Sequence, residues 1–284
     1  MISILASRRV LHYSPFPVAA RRISTQPART AIITGAGQGI GRAIALRLAR
    51  DKFDICVNDL ESNASRAESV VEEIRALGRR AVVAYGDVSQ LKDVEAIVAT
   101  SVSALGSLTA MVSNAGVSKA QDIFDVTEAD LRRMWDINVT GTFLCDQVAA
   151  KQLVEQGTGG KIINAASIVS YMVDPKLAPY CASKAAVRSL TQSFAKALGP
   201  YKINVNAYAP GVVDTNMWDV IDEGMGSVNG MKKGDNFKAF GANILLGRSS
   251  VPEDPANVVS WLASKDSDYV TGQTIVVDGG MVFT

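Results

Sequence analysis

The chain is poor in the residues on which several kinds of chemistry depend. It has one histidine, His12, three cysteines (Cys56, Cys145 and Cys181) and only 6% aromatic residues in 284 positions. The single histidine lies within the first 29 residues, so the remainder cannot build a Ser-His-Asp triad, and hydrolysis of that type is disfavoured. An odd number of widely spaced cysteines suits neither a disulfide framework nor a zinc site, so no metal is expected and a reducing compartment is. No apolar run reaches the roughly 18 residues that a membrane-spanning helix needs. Residues 1–30 contain no acid but carry Arg8, Arg9, Arg21, Arg22 and Arg29. Removing those five from the 29 basic residues leaves 24 against 28 acids, a charge of −4 over 31–284 behind an overall +1. A body of that sign offers no basic face for nucleic acid.

What is present is ordinary globular material, 48% apolar and 20% charged. A chain of this length buries roughly three quarters of its unfolded surface, enough for one large domain without staples. Residues 1–29 stand apart as an N-terminal extension. Being arginine-bearing, acid-free and without a long apolar stretch, they fit a mitochondrial transit peptide better than a secretory signal. An untargeted extension on a cytoplasmic protein is the other reading, since Pro15, Pro17 and Pro27 interrupt any long helix.

From residue 30 to 284, β-branched runs alternate with stretches of helical period, which predicts βαβ units in a single doubly wound α/β domain. Strands are expected at 30–34, 54–58, 81–85, 109–113, 161–166, 203–209 and 274–278. Helices are expected near 40–51, 62–77, 90–105, 128–152, 180–198 and 254–263, with Ser62 and Ser89 as N-caps. The stretch 214–248 has several glycines and weak helical period, and reads as a substrate lid.

TGAGQGIG (34–41) joins the first strand to the first helix. Gly35 permits the tight turn, Gly39 lets the backbone approach a pyrophosphate and Gly41 lets the helix pack close, with the helix N-terminus supplying positive charge. Asp59 ends the second strand 18 residues after Gly41, near the spacing of a carboxylate that accepts from ribose hydroxyls. It would repel a 2′-phosphate, and Leu60 rather than an arginine follows it. NAD is therefore expected as cofactor in preference to NADP. Farther along, Tyr180 and Lys184 share a helix face, and Ser167 ends the strand before them. An ammonium beside a phenol favours phenolate, which makes Tyr180 a candidate acid/base, with Ser167 as a donor to a substrate oxygen. The bland readings are an exposed helix pair, and structural roles for Asn114 and Asn138, whose amides can bridge strands. Met217 and Trp218 are equally readable as substrate contacts or as packing.

TGAGQGIG, the NAG of Asn114–Gly116, Asn138 in NVTG, Ser167, the YCASK of Tyr180–Lys184 and the PG of Pro210–Gly211 together resemble the classical short-chain dehydrogenases/reductases over essentially all of 30–284. The resemblance implies one Rossmann domain with a seven-stranded parallel sheet in the order 3-2-1-4-5-6-7, assembled as a homotetramer. Carried over residue by residue, Tyr180 is the acid/base, and Lys184 binds the nicotinamide ribose and lowers the tyrosine pKa. Ser167 orients the carbonyl and Asn138 holds a relay water. The cofactor lies on Gly35, Gln38, Gly39, Ile40, Gly41, Asp59, Leu60 and Asn114, with Asp87 and Val88 at the adenine and Val213 and Thr215 at the carboxamide. The strings TNMWDVID (215–222), LLGR (245–248) and SDYVTGQTIVVDGGMVF (267–283) are similar to the acetoin (diacetyl) reductase and 2,3-butanediol dehydrogenase branch. That branch carries a polar residue after the catalytic serine and Asn before the proline, where this chain has Ile168 and Asp174. The implied activity is NAD(H)-dependent interconversion of a small-molecule ketone, acetoin-like or bulkier, and a secondary alcohol. The alternatives are a non-catalytic dinucleotide-binding scaffold, or a ketoreductase of a different substrate class such as a biosynthetic ketone or sugar alcohol.

Overall fold

The computed structural model describes residues 29–284. Seven strands form one parallel sheet: β1 (Arg29–Ile33), β2 (Phe53–Asp59), β3 (Ala81–Tyr85), β4 (Ala110–Ser113), β5 (Gly160–Ala165), β6 (Ile203–Pro210) and β7 (Thr274–Val277). Their spatial order is β3-β2-β1-β4-β5-β6-β7, as the resemblance implies. Parallel strands need crossover connections, and here these are helices on both faces, so the central strands β1, β2, β4 and β5 are buried on both sides and are mostly apolar.

Side chains alternate between two cores with the two-residue period of a strand. On one face Ile33, Ile55, Val57 and Ile163 pack under α1 (Gly39–Arg50), α2 (Ala64–Ala76) and α9 (Glu253–Leu262). On the other, Ile32, Cys56, Met111 and Ile162 pack under α3 (Leu91–Leu105), α5 (Gly141–Gln156) and α6 (Ala178–Leu198). The three cysteines are buried free thiols. No helix among the described residues is long and apolar enough to cross a membrane, and no cluster of candidate metal ligands occurs among them.

The structure corrects the expected elements at four places. Arg29, assigned above to the extension, is the first residue of β1, and its guanidinium lies 4.3 Å over the Phe53 ring. The rest of the proposed targeting stretch lies outside the described residues. The single helix expected at 128–152 is broken into α4 (Glu128–Trp135), a π-turn (Asp136–Thr140) and α5. The break centres on Asn138, whose amide is clipped to the Val117 backbone on another segment, so the helix widens to reach it. Neither Ser62 nor Ser89 caps a helix. Ser62 lies in the turn Glu61–Asn63, and the backbone amide of Ser89 bonds instead to the Asp87 carboxylate at 2.9 Å.

The fourth difference is the lid, which is well-formed helix: α7 (Asn216–Asn229) and α8 (Asp235–Gly241). Its period looked weak because glycines occupy helical positions that press on neighbouring backbone. A Cβ at Gly224 would lie 2.5 Å from the Ala120 carbonyl oxygen, and one at Gly226 2.7 Å from that of Met231. Packing, rather than helix propensity, selects glycine there.

Candidate active site

Strand order reverses between β1 and β4, and open α/β sheets bind their ligands outside the strand C-termini at such a point. A cleft of about 390 Å³ lies there. Its walls bring together Gly35, Gln38, Gly39, Ile40 and Gly41 from the glycine loop, Asp59 and Leu60 after β2, and Asp87 and Val88 after β3. Asn114, Tyr180, Lys184 and Thr215 complete the expected residues on it.

At one end the loop is shaped for a close-lying anionic ligand. Gly35 and Gly39 have φ of +61° and +54°, the left-handed region in which a side chain is strained. Gln38 at the N-cap of α1 makes no side-chain cap, so the first amides of the helix are left to a ligand. Asp59 is buried, and its Oδ2 accepts from the Gly37 amide at 2.8 Å. Its Oδ1 accepts from the Leu60 amide and from Asn63 Nδ2, each at 2.8 Å. Of about four acceptor positions on a carboxylate, one remains free for a hydroxyl. Gly37 was given no task above, yet a Cβ on it would fall 2.7 Å from Asp59 Oδ2. Over the mouth, Gln38 Oε1 accepts from Arg66 Nη1 at 2.5 Å and from Asn216 Nδ2 of the lid at 3.2 Å.

At the other end α6 places Tyr180 and Lys184 one turn apart, both buried. Lys184 Nζ donates to the Ala165 carbonyl at the end of β5 at 2.7 Å and lies 5.6 Å from the Tyr180 ring centre. Burial pushes the lysine down to about 8 and the Tyr180 phenol up to about 12, with the neighbouring Ser167 hydroxyl pulling the phenol back the other way. In the polypeptide by itself the cost of desolvating a phenolate is the largest influence on Tyr180.

Ser167 follows β5 beside the phenol, its Oγ 3.5 Å from the Pro210 carbonyl oxygen. Asn138 is fully buried and its side chain is already engaged: Oδ1 accepts from Val117 N at 2.8 Å, and Nδ2 reaches Val117 O at 2.9 Å and Ser183 Oγ at 3.1 Å. Its carbonyl accepts from Thr142 Oγ1 at 2.8 Å. Both N–H groups of the amide are thus engaged, and Oδ1, which has used one of its two lone pairs, keeps an acceptor position for a water.

Val213 and Ile168 are buried and are not on the cleft wall; Val213 pairs by backbone with Ser250. Asp174 caps the short turn Pro175–Leu177 through the Lys176 amide. Met217 is on the wall, whereas Trp218 packs edge-on to Phe237 within the lid. Sequence reasoning missed Tyr208 and Arg133, both on the wall. Tyr208 looked like one more apolar strand residue, and nothing in the helical period of α4 distinguishes Arg133 from its exposed neighbours.

Comparison with known proteins identifies the family. A family model described as enoyl-(acyl carrier protein) reductase matches residues 35–282. A short-chain dehydrogenase/reductase of Armillaria gallica is 46% identical over 260 residues, 92% of this chain and 98% of that protein. An L-2,3-butanediol dehydrogenase of Corynebacterium glutamicum is 43% identical over 255 residues, 90% of this chain and 99% of that protein. The crystal structure of an acetoin dehydrogenase from Enterobacter cloacae superimposes with a TM-score of 0.77 at 35% identity, covering 89% of this chain and 95% of that one. The chain belongs to the short-chain dehydrogenase/reductase family of oxidoreductases.

Proposed function

We propose that this protein interconverts a ketone and a secondary alcohol with NAD(H), and that the ketone is acetoin-like or less polar. The observation that carries this reading is the placing of Tyr180 and Lys184 at one end of a cleft, with the buried Ser167 hydroxyl beside the phenol, while the other end holds the glycine loop and Asp59. The cradle suits a dinucleotide: open helix amides for a pyrophosphate, a free acceptor on Asp59 for a ribose hydroxyl, and no room at Gly37 for a side chain. A 2′-phosphate would bring its charge against a buried carboxylate, which supports NAD over NADP. When bound, the nicotinamide supplies or accepts the hydride.

Tyr180 gives a proton to the carbonyl oxygen during reduction and takes it back during oxidation. Because burial holds the phenol protonated, it is a ready acid at neutral pH. Ser167 donates to the same oxygen, so two hydroxyls converge where negative charge develops, and that stabilisation is greatest in the transition state. Lys184 is held by the Ala165 carbonyl and keeps its ammonium within reach of the phenol and of a ribose. Asn138 ties α4 and α5 to the loop after β4 and so holds the wall opposite Tyr180.

The surroundings of Tyr180 favour a substrate of low polarity. The apolar cluster to which Tyr180 belongs also holds Ala120, Met134, Leu177, Cys181, Ile221 and Met225, with Val117 and Met217 half-buried against them. Apolar packing of this kind discriminates weakly for a second hydroxyl.

The test is oxidation of NADH and, in parallel, NADPH with diacetyl, acetoin and longer aliphatic and aryl ketones. Turnover with NADH and at least one ketone is expected; failure of both cofactors to bind overturns the reading. The homotetramer implied by resemblance is tested by light scattering, which should give four times the chain mass of 30.1 kDa. The composition of residues 1–29 supports mitochondrial import. A fluorescent fusion carrying them should co-localise with mitochondria, and a diffuse signal overturns that part.

A further inference from the structure

Tyr208 is a second buried tyrosine on the cleft wall that the reaction above does not use. It stands on β6 opposite Ala165 of β5. Its hydroxyl nevertheless donates to Asn114 Oδ1, beyond β4, at 2.7 Å. Adjacent strands are about 4.8 Å apart, so the phenol must span β5 to make that bond, and the small side chain of Ala165 leaves it a path. Burial pushes the Tyr208 phenol up, so its hydroxyl stays protonated and acts as a donor.

The other end of the Asn114 amide faces the glycine loop. Nδ2 donates to the carbonyls of Thr34 at 2.8 Å and Gly35 at 3.2 Å. A Cβ on Gly41 would fall 2.6 Å from the same Nδ2, so the first turn of α1 rests against this amide as well. An amide has a donor end and an acceptor end of nearly the same shape, and only its partners decide which way round it sits. Here two carbonyls, which can only accept, require the NH₂ at the loop, and the Tyr208 hydroxyl donates to the oxygen thereby left facing β6.

We propose that Tyr208 is a positioning residue for the dinucleotide: its hydroxyl anchors the oxygen end of the Asn114 amide, and that amide holds the turn Thr34–Gly35 in the shape that receives the pyrophosphate. This rests on the dinucleotide reading given above. Without the hydroxyl, the partly buried Asn114 Oδ1 loses its one protein donor, and the amide is held only from the loop side, by Thr34 and Gly35. The amide and the turn it holds then sample more positions, and only a fraction of the molecules is ready to bind, which weakens apparent affinity by that fraction.

The test uses the full chain with Tyr208→Phe and Asn114→Ala, singly and combined, titrated with NADH by fluorescence. Tyr208→Phe keeps the ring in the core and is expected to raise the Kd for NADH about tenfold, the equivalent of one lost hydrogen bond. It should raise the KM for NADH more than it lowers kcat, and speed amide hydrogen exchange at residues 35–41 in the protein without NADH. In the Asn114→Ala background the further change to Phe should alter the Kd by less than about twofold, because the link is already gone. Should Tyr208→Phe prove insoluble, Asn114→Asp probes the link from the other side: it keeps the acceptor for Tyr208, loses the donor to Gly35, and must also raise the Kd. A Tyr208→Phe protein that binds NADH as well as wild type, or losses that simply multiply in the double variant, overturns this inference. Wild-type protein that binds neither NADH nor NADPH instead overturns the dinucleotide reading itself.

Discussion

The carboxylate of Asp59 and the backbone amide of Gly37 are joined by a 2.8 Å hydrogen bond that a single methyl group on Gly37 would abolish. The residue proposed to select the cofactor is thus held by a loop position that has no side chain, and the two must change together.

Asp59→Ala should weaken NADH binding and relax discrimination, because it removes both a ribose acceptor and a repulsive charge. Gly37→Ala should act in the same direction, since its Cβ displaces Asp59 Oδ2. The measurement is the ratio of Kd for NADPH to Kd for NADH, which should fall by about tenfold or more for Asp59→Ala. A wild-type ratio near one would remove the basis of this prediction.

Tyr180→Phe should lower turnover by roughly 10²–10⁴, the usual range for losing a general acid, with NADH binding largely kept. The pH dependence follows from burial, which holds the phenol near 12 in the protein alone. Oxidation needs phenolate and so should quicken as pH rises from 6 to 9, whereas reduction needs phenol and should change little over that span. A folded Tyr180→Phe protein keeping more than about a tenth of wild-type turnover would rule out this acid.

Asp146 is a buried carboxyl on α5 outside the cleft, where it accepts from Ser113 Oγ at 2.9 Å and Asn164 Nδ2 at 2.8 Å. Burial raises it from 3.8 to about 7 despite those two bonds. A folded pKa above the unfolded one means that the native state holds the proton more tightly, so stability is highest below about pH 4 in this term and declines as pH rises towards 7. The shift corresponds to roughly 4 kcal/mol at 1.36 kcal/mol per unit. Asp146→Asn removes the charge, and its amide can donate towards Asn164 Oδ1, a buried atom without a partner. Urea unfolding at pH 5 and pH 8 should show the variant gaining on wild type at the higher pH, and an equal difference at both would refute the assignment.

Asp222 ties the lid together, its Oδ2 accepting from Gly234 N at 2.5 Å and its Oδ1 from Phe237 N at 3.0 Å. Asp222→Ala leaves two amides without their acceptor, at a cost of about 1.5–3 kcal/mol for each bond to a charged group, confined to α7 and α8. The KM for ketone should rise several-fold, and trypsin should cut sooner at Lys232, Lys233 and Lys238. Unchanged proteolysis of that segment would show that the lid does not depend on this carboxylate.

The elements legible in the sequence were those whose signal is local. The strands were readable because parallel strands under helices on both faces are rich in apolar, β-branched residues, and the glycine loop was readable because positive φ admits few other residues. Tyr180 and Lys184 were readable as a pair because one helical turn brings them together whatever surrounds it. What lay beyond reach was decided across distance in the chain. The π-turn at Asn138 depends on the backbone of Val117, the helices of the lid on space beside Ala120 and Met231, and the raised phenol of Tyr180 on how much water the finished pocket excludes. Tyr208 is the clearest instance. As a strand residue it is indistinguishable from its apolar neighbours, and only the side-by-side placing of β4, β5 and β6 brings its hydroxyl to Asn114. Hydrogen-bond partners 94 residues apart leave no periodicity to read, because the sheet sets their meeting and the local chain does not.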